Sequence, residues 1–383
     1  MTAYVTARGS ALIVALAGLI ALAVAMGIGR FAFTPILPMM QEDAGVSIAM
    51  GGWLASANYV GYLAGALSVI WWPIAATTGI RVGLATIGLG TLAMGLEHHF
   101  AAWLALRALA GVASAWVLIY VSAWCLENLA SLGRPALGST VYAGVGAGIA
   151  LAGALCLALM HVGAGSAHAW IVLGALAIVL SLGIWTVFRP RAGSPGAEAA
   201  RSDPRAMAWD RESLRLVLCY GAFGFGYIIP ATFLPVMAKQ VIRDPAIFGW
   251  SWPIFGAAAM GSTLGTSMLR GFLTNRRLWI ASHLVMAFGV ALPIVWPGIV
   301  PIMLAALLVG GTFMVITMVG MQEARGVAGA RATGLMAAMT AAFAVGQIAG
   351  PISVSLVVGA GGSVPAALVI ACVFLVVSAY ALT

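Results

Sequence analysis

The chain has 383 residues, of which 63% are hydrophobic and 7% charged, with a formal net charge of +8. A soluble chain of that length needs far more charged surface, so the composition excludes a soluble globular fold and points to an all-α integral membrane protein. The cysteines, Cys125, Cys156, Cys219 and Cys372, stand singly in apolar runs, which argues against a disulfide framework or a metal site.

Twelve spans are expected in chain order, near 11–40, 49–76, 80–97, 100–125, 135–160, 167–188, 213–238, 247–270, 278–296, 299–321, 332–358 and 364–382. Each is long enough to cross a hydrocarbon core of ~30 Å. The first is too long for a signal peptide's apolar region and is read as a spanning helix. It contains GIGRFAFTPILPMM, in which Arg30 follows Gly27 and Gly29 and precedes Pro35 and Pro38. Those glycines and prolines mark a bendable or closely packed helix. The second span carries Asn58, a candidate substrate-binding residue of the outer cavity, and Tyr59, which lines that cavity or packs between helices, and EHH at 97–99 ends the third with histidines read as solvated. Arg107 lies in the fourth span and GVGAGIALAG, 144–153, in the fifth.

Residues 189–212 are polar, with Pro190, Pro195 and Pro204, and read as a tether between an N-terminal half, 1–188, and a C-terminal half, 213–383. GFGYIIPATFLPVM at 224–237 then repeats the first span. Gly27 and Gly29 align with Gly224 and Gly226, Pro38 with Pro235, and Arg30 with Tyr227. His283 falls in the ninth span, and Thr312 and Thr317 in the tenth are expected to bond their own helix backbone. GQIAGP, 346–351, puts Gln347, Gly350 and Pro351 in the eleventh. Its glycine spacing matches that of the fifth and is read as close packing.

With the N-terminus inside, fourteen of the 18 basic residues are cytoplasmic, Lys239 and Arg243 are outside, and Arg30 and Arg107 lie within helices. Most tryptophans fall at predicted interfaces. Arg30 is about eight residues from the outer end of its helix, or ~12 Å deep at ~1.5 Å per residue, and Arg107 and Asn58 share that layer. An arginine at mid-membrane costs roughly 2.5–3.5 kcal/mol on insertion scales. The ten acidic residues all belong at the membrane edges, so neither buried arginine has a fixed counter-ion. Each reads in two ways: as a fork for an anionic substrate, or as a cap for carbonyls freed around Gly29 or Pro35. Gln347 either touches substrate or bridges helices.

Two parallel six-helix halves joined by a cytoplasmic linker resemble the major facilitator superfamily. RALAGVASA, 107–115, resembles that superfamily's fourth-helix motif, and GQIAGP its glycine-proline motif, here intact in the eleventh helix while Ile149 takes the proline's place in the fifth. TTGIRVG, 77–83, keeps only Gly79 and Arg81 of the loop motif. The first helix is similar to the YbfB/YjiJ-like branch. The resemblance implies a central cavity onto which Arg30, Arg107 and Tyr227 converge.

The expected protein is a monomeric, multi-pass secondary transporter of the bacterial inner membrane, with both termini cytoplasmic. Its expected substrate is a small organic anion, moved with a co-transported proton or in exchange for another anion. The alternative is a proton-coupled multidrug or metabolite exporter. No nucleophile, base or metal cluster suggests an enzyme, no phosphate-binding loop suggests ATP, and no cofactor or nucleic acid is expected.

Overall fold

The computed structural model describes residues 2–189, 209–241, 250–269, 272–296, 298–359, 361 and 363–383. Most of the expected tether, 190–208, and Arg243 lie outside the described residues. The described chain is helical. It begins with α1 (Thr2–Leu22), passes through a π-helical stretch (Ala23–Phe31), and continues as α2 (Phe33–Asp43). Ser10–Asp43 makes one membrane-length run of 34 residues.

Pro35 disturbs the regular pitch of the turn before it. It offers no N–H to the Phe31 carbonyl four residues back, nor to the Arg30 carbonyl five back, and its ring crowds the preceding turn. A wider turn, with bonds spaced five residues apart, relieves that crowding. Gly27 lies within this stretch because there is no room for a side chain. A Cβ there would overlap the backbone of Gly148.

The remaining helices follow in order: α3 (Ile48–Trp71), α4 (Ala76–Leu96), α5 (Phe100–Ser131), α6 (Gly138–His161) and α7 (Ser166–Ile184). From residue 209 the described chain continues with α8 (Arg211–Val241), α9 (Ser251–Leu269), α10 (Asn275–Val295), α11 (Ile299–Ala328), α12 (Ala332–Gly359) and α13 (Val364–Ala381). Ser47 caps α3, its Oγ accepting from Met50 N at 3.1 Å, and Thr274 caps α10, accepting from Arg277 N at 3.2 Å. Two helices overrun the expected boundaries of 125 and 321, because a helix stops where its backbone can turn rather than where lipid ends. Past α5, Gly133 takes φ +68° and Arg134 N bonds Leu129 O at 2.8 Å. Past α11, Gly329 takes φ +54°.

Among the described residues, nine stretches are long and apolar enough to cross a membrane. One of them, Ile299–Val357, spans both α11 and α12. Large apolar side chains such as Ile13, Val60, Leu89, Val179 and Phe288 stay exposed on helix flanks. That surface suits lipid and not water.

Two long-range pairings hold the bundle's middle: α6 runs along α9, and α3 along α12. Within the first part, α6 lies against the π-helical stretch, and α8 lies against α12 in the corresponding way. There a Cβ on Gly224 would overlap the Phe343 carbonyl. At one end, Asp43 accepts from the backbone N–H and the Oγ of Ser166, the latter at 2.7 Å, joining α2 to α7. At another, Arg276 of α10 pairs with Glu212 of α8 and with Glu323 of α11, the second at 3.2 Å.

Candidate functional site

Arg30 occupies the last turn of the π-helical stretch and is 4% exposed. Its Nη2 donates to Gln347 Oε1 of α12. The Tyr62 ring of α3 covers the guanidinium face, with its centroid 3.7 Å from Cζ, while Phe31 and Tyr59 stand farther out at 5.8 and 5.7 Å. Cation–π contact of that kind replaces part of the hydration lost on burial. Nε and Nη1 have no hydrogen-bond partner. Among the described residues no aspartate or glutamate is buried. The guanidinium is therefore held by one amide and by ring faces, with donors to spare.

Arg107 of α5, equally buried, uses its donors differently. Nη1 bonds the Gly29 carbonyl at 3.2 Å and Nη2 the Arg30 carbonyl at 3.4 Å, and its Cζ lies 4.6 Å from the Phe33 ring centroid. Those are carbonyls that the wide turn and Pro35 leave short of partners. Ser114, two turns on, lies 2.9 Å from the Ala25 carbonyl. Asn58 donates from Nδ2 to the Arg107 carbonyl at 3.1 Å, which joins α3 to α5, and its Oδ1 has no partner. Arg107 and Asn58 thus stand behind Arg30, on its backbone side.

Tyr227 of α8 is buried, its ring stacked on Phe313 of α11 at 5.2 Å between centroids and 17° between planes. Phe343 of α12 lies near-parallel at 6.3 Å. Arg30 and Tyr227 line one cavity, together with Tyr62, Tyr220, Phe313 and Phe343, with room for about one water. Of the five residues expected at the site, Arg30 and Tyr227 face this cavity, Gln347 is bonded to Arg30, and Arg107 and Asn58 support the turn.

Tyr62, Tyr220, Phe313 and Phe343 were not anticipated from the sequence. Three of them stood at helical spacing from residues that were: Tyr62 four after Asn58, Phe343 four before Gln347, and Tyr220 seven before Tyr227. Of the packing residues, a Cβ on Gly29 would press on Ile87 at 2.8 Å, and one on Gly350 would overlap Ile228. Pro38 and Pro351 sit inside α2 and α12, and Pro35 at the start of α2. Away from the cavity, His283 of α10 is buried between Trp279, stacked at 6.1 Å, and the edge-on Phe223 ring.

No curated protein matches the chain. The family described as "Uncharacterised MFS-type transporter YbfB" matches residues 22–383, a span that holds the π-helical stretch, the buried arginines and every aromatic wall of the cavity. With its run of membrane-length apolar helices, the chain is a multi-pass membrane protein and belongs to this YbfB-type family of major facilitator transporters.

Proposed function

We propose that the protein is a secondary active transporter that carries a small organic anion across the bacterial inner membrane by alternating access. One observation carries this reading: a buried guanidinium, Arg30, keeps Nε and Nη1 unpartnered at the wall of an internal cavity. A permanent charge in lipid is costly, and an arriving carboxylate or phosphate supplies what the side chains around it do not. Arg107 and Asn58 serve the site by holding the turn that presents Arg30. Gln347 is the placeholder that an anion displaces or joins, and Tyr227 faces the anion from the far wall.

Twelve crossings in two six-helix halves, 1–188 and 213–383, joined through 189–212, rock about this site, with both termini in the cytoplasm and the monomer as the working unit. The glycine contacts of Gly27, Gly29 and Gly350, and the bends at Pro35, Pro38 and Pro351, are where the rocking helices slide or flex. An inside-negative potential pushes a monovalent anion outward by ~2.3 kcal/mol per 100 mV. Uptake therefore takes a co-transported proton or an exchanged anion.

The test is ligand-induced stabilisation of purified parent, Arg30→Gln and Arg30→Lys by a panel of carboxylates, phosphates and cationic drugs. Anions stabilise the parent, fail with Arg30→Gln, and partly recover with Arg30→Lys, which keeps the charge but loses the planar fork. Proton-coupled export of a drug or metabolite is the second reading, favoured by His283, a titratable side chain buried within α10. Under that reading cations alone stabilise the parent, and Arg30→Gln leaves their effect unchanged.

A further inference from the structure

We infer that the anion carries an aromatic ring, with its carboxylate on Arg30 and its ring between Tyr227 and Phe313, an inference that rests on the anion reading above. The cavity's walls carry the argument. A membrane interior offers leucine, valine and isoleucine in abundance, yet six of the eleven residues lining this cavity are aromatic, Phe31, Tyr62, Tyr220, Tyr227, Phe313 and Phe343, and Leu118 is the one branched aliphatic among them. They come from α3, α8, α11, α12 and the π-helical stretch, so the enrichment is not the periodicity of one helix.

Their geometry assigns the two ends of the ligand. The face of the guanidinium is already covered by Tyr62, so an anion must approach in the guanidinium plane. Arginine has five N–H donors; Gln347 takes one from Nη2, and those of Nε and Nη1 are unpartnered. Nη2 has a second N–H, and with an unpartnered neighbour, Nε or Nη1, it makes one edge that an in-plane carboxylate fork fits. Ring faces carry negative potential, so the carboxylate cannot rest on the aromatic walls, whereas a ligand ring can.

The cavity as it stands holds about one water, and a ring enters only by parting a wall. Tyr227 and Phe313 are the pair suited to part. They lie 5.2 Å apart and within 17° of parallel, and an aromatic guest between them replaces one stacking contact with two. A saturated ring of the same size breaks the stack and restores neither face. Phe31 meets Phe313 edge-on at 6.2 Å and 79°, and thereby holds the Phe313 ring plane in position to receive a guest.

The experiment is calorimetric titration of the purified full chain in lipid nanodiscs with benzoate, phenylacetate, cyclohexanecarboxylate, acetate and benzamide. Benzoate or phenylacetate should bind about tenfold or more tightly than cyclohexanecarboxylate, acetate more weakly still, and benzamide, which lacks the charge, undetectably. Arg30→Gln should abolish all carboxylate binding, and Phe313→Leu should reduce the aromatic preference to about twofold or less. The comparison of benzoate with cyclohexanecarboxylate is made on the parent protein, so the inference is tested even if Phe313→Leu does not fold. Equal binding of the two, still lost in Arg30→Gln, overturns the aromatic inference and leaves the anion reading standing. Absence of any Arg30-dependent carboxylate binding overturns the aromatic inference, and a parent that phosphates also fail to stabilise overturns the anion reading with it.

Discussion

Two arginines of the same type, similarly buried, do opposite work in this protein, and the difference lies in what their nitrogens meet. Arg107 reaches two backbone carbonyls, while Arg30 reaches a single amide oxygen and otherwise ring faces. Arg107→Gln therefore leaves the Gly29 and Arg30 carbonyls unpaired in a dry interior, at about 1–3 kcal/mol per group. Arg30→Gln instead removes a buried charge without orphaning a backbone group. Thermal unfolding in detergent should show Arg107→Gln melting clearly below Arg30→Gln. Equal melting temperatures would mean that the carbonyl contacts contribute nothing. Gln347→Glu tests the other partner: a fixed carboxylate opposite Arg30 occupies the donors an anion would use. That variant should melt no lower than the parent and lose tenfold or more in anion affinity, read by the same stabilisation assay.

At the scale of elements, the first helix shows what its sequence disclosed and what it did not. Gly27, Gly29, Pro35 and Pro38 announced an irregular helix, and the irregularity is there as a π-helical stretch ending at Phe31. Its form was not legible, because a proline removes a bond without dictating whether the turn above it kinks or widens. That choice goes with α5, whose Arg107 bonds the Gly29 and Arg30 carbonyls beside the wide turn. Two helices overran their expected ends for a related reason, since apolar length marks the lipid boundary and not the terminating glycine. Gly27 itself is bound by packing: Gly27→Val forces a side chain against the Gly148 backbone and should cost about 1–3 kcal/mol, read as a lowered midpoint of thermal unfolding. Where α8 emerges, Asp210 Oδ1 accepts from the Ser213 N–H at 2.7 Å, and this bond holds its carboxyl below the usual carboxylate range. A depressed folded-state pKa contributes stability above the unfolded value and loses it as pH falls through the folded one. Hydrogen exchange at residues 211–214 should accelerate in Asp210→Ala at neutral pH, and in the parent only on strong acidification.

For the whole molecule, the internal repeat was the most informative reading, because two stretches far apart in sequence had to serve one architecture. The resemblance implied one cavity for Arg30, Arg107 and Tyr227; Arg30 and Tyr227 line a shared cavity, while Arg107 stands on the Gly29 and Arg30 carbonyls behind it. The remaining walls were harder to see, because an aromatic at helical spacing looks the same whether it faces lipid, a neighbouring helix or a cavity. Only the convergence of five elements separates these, and no single helix encodes that convergence. Orientation rests on the distribution of basic residues, and it commits to an alternation that loops within the described structure can test. With the N-terminus inside, the turn between α5 and α6 is cytoplasmic and the turn between α6 and α7 is external. Ser131 and Val162 are exposed on those turns, whereas Cys125, Cys156 and Cys219 are buried and Cys372 is partly so. An impermeant maleimide applied to intact cells should label Val162→Cys, and should reach Ser131→Cys only after the membrane is opened, with the parent chain giving the background. Labelling of Ser131→Cys in intact cells would invert the topology. The inverted chain would carry fourteen of its 18 basic residues outside, against the charge rule from which the orientation is expected.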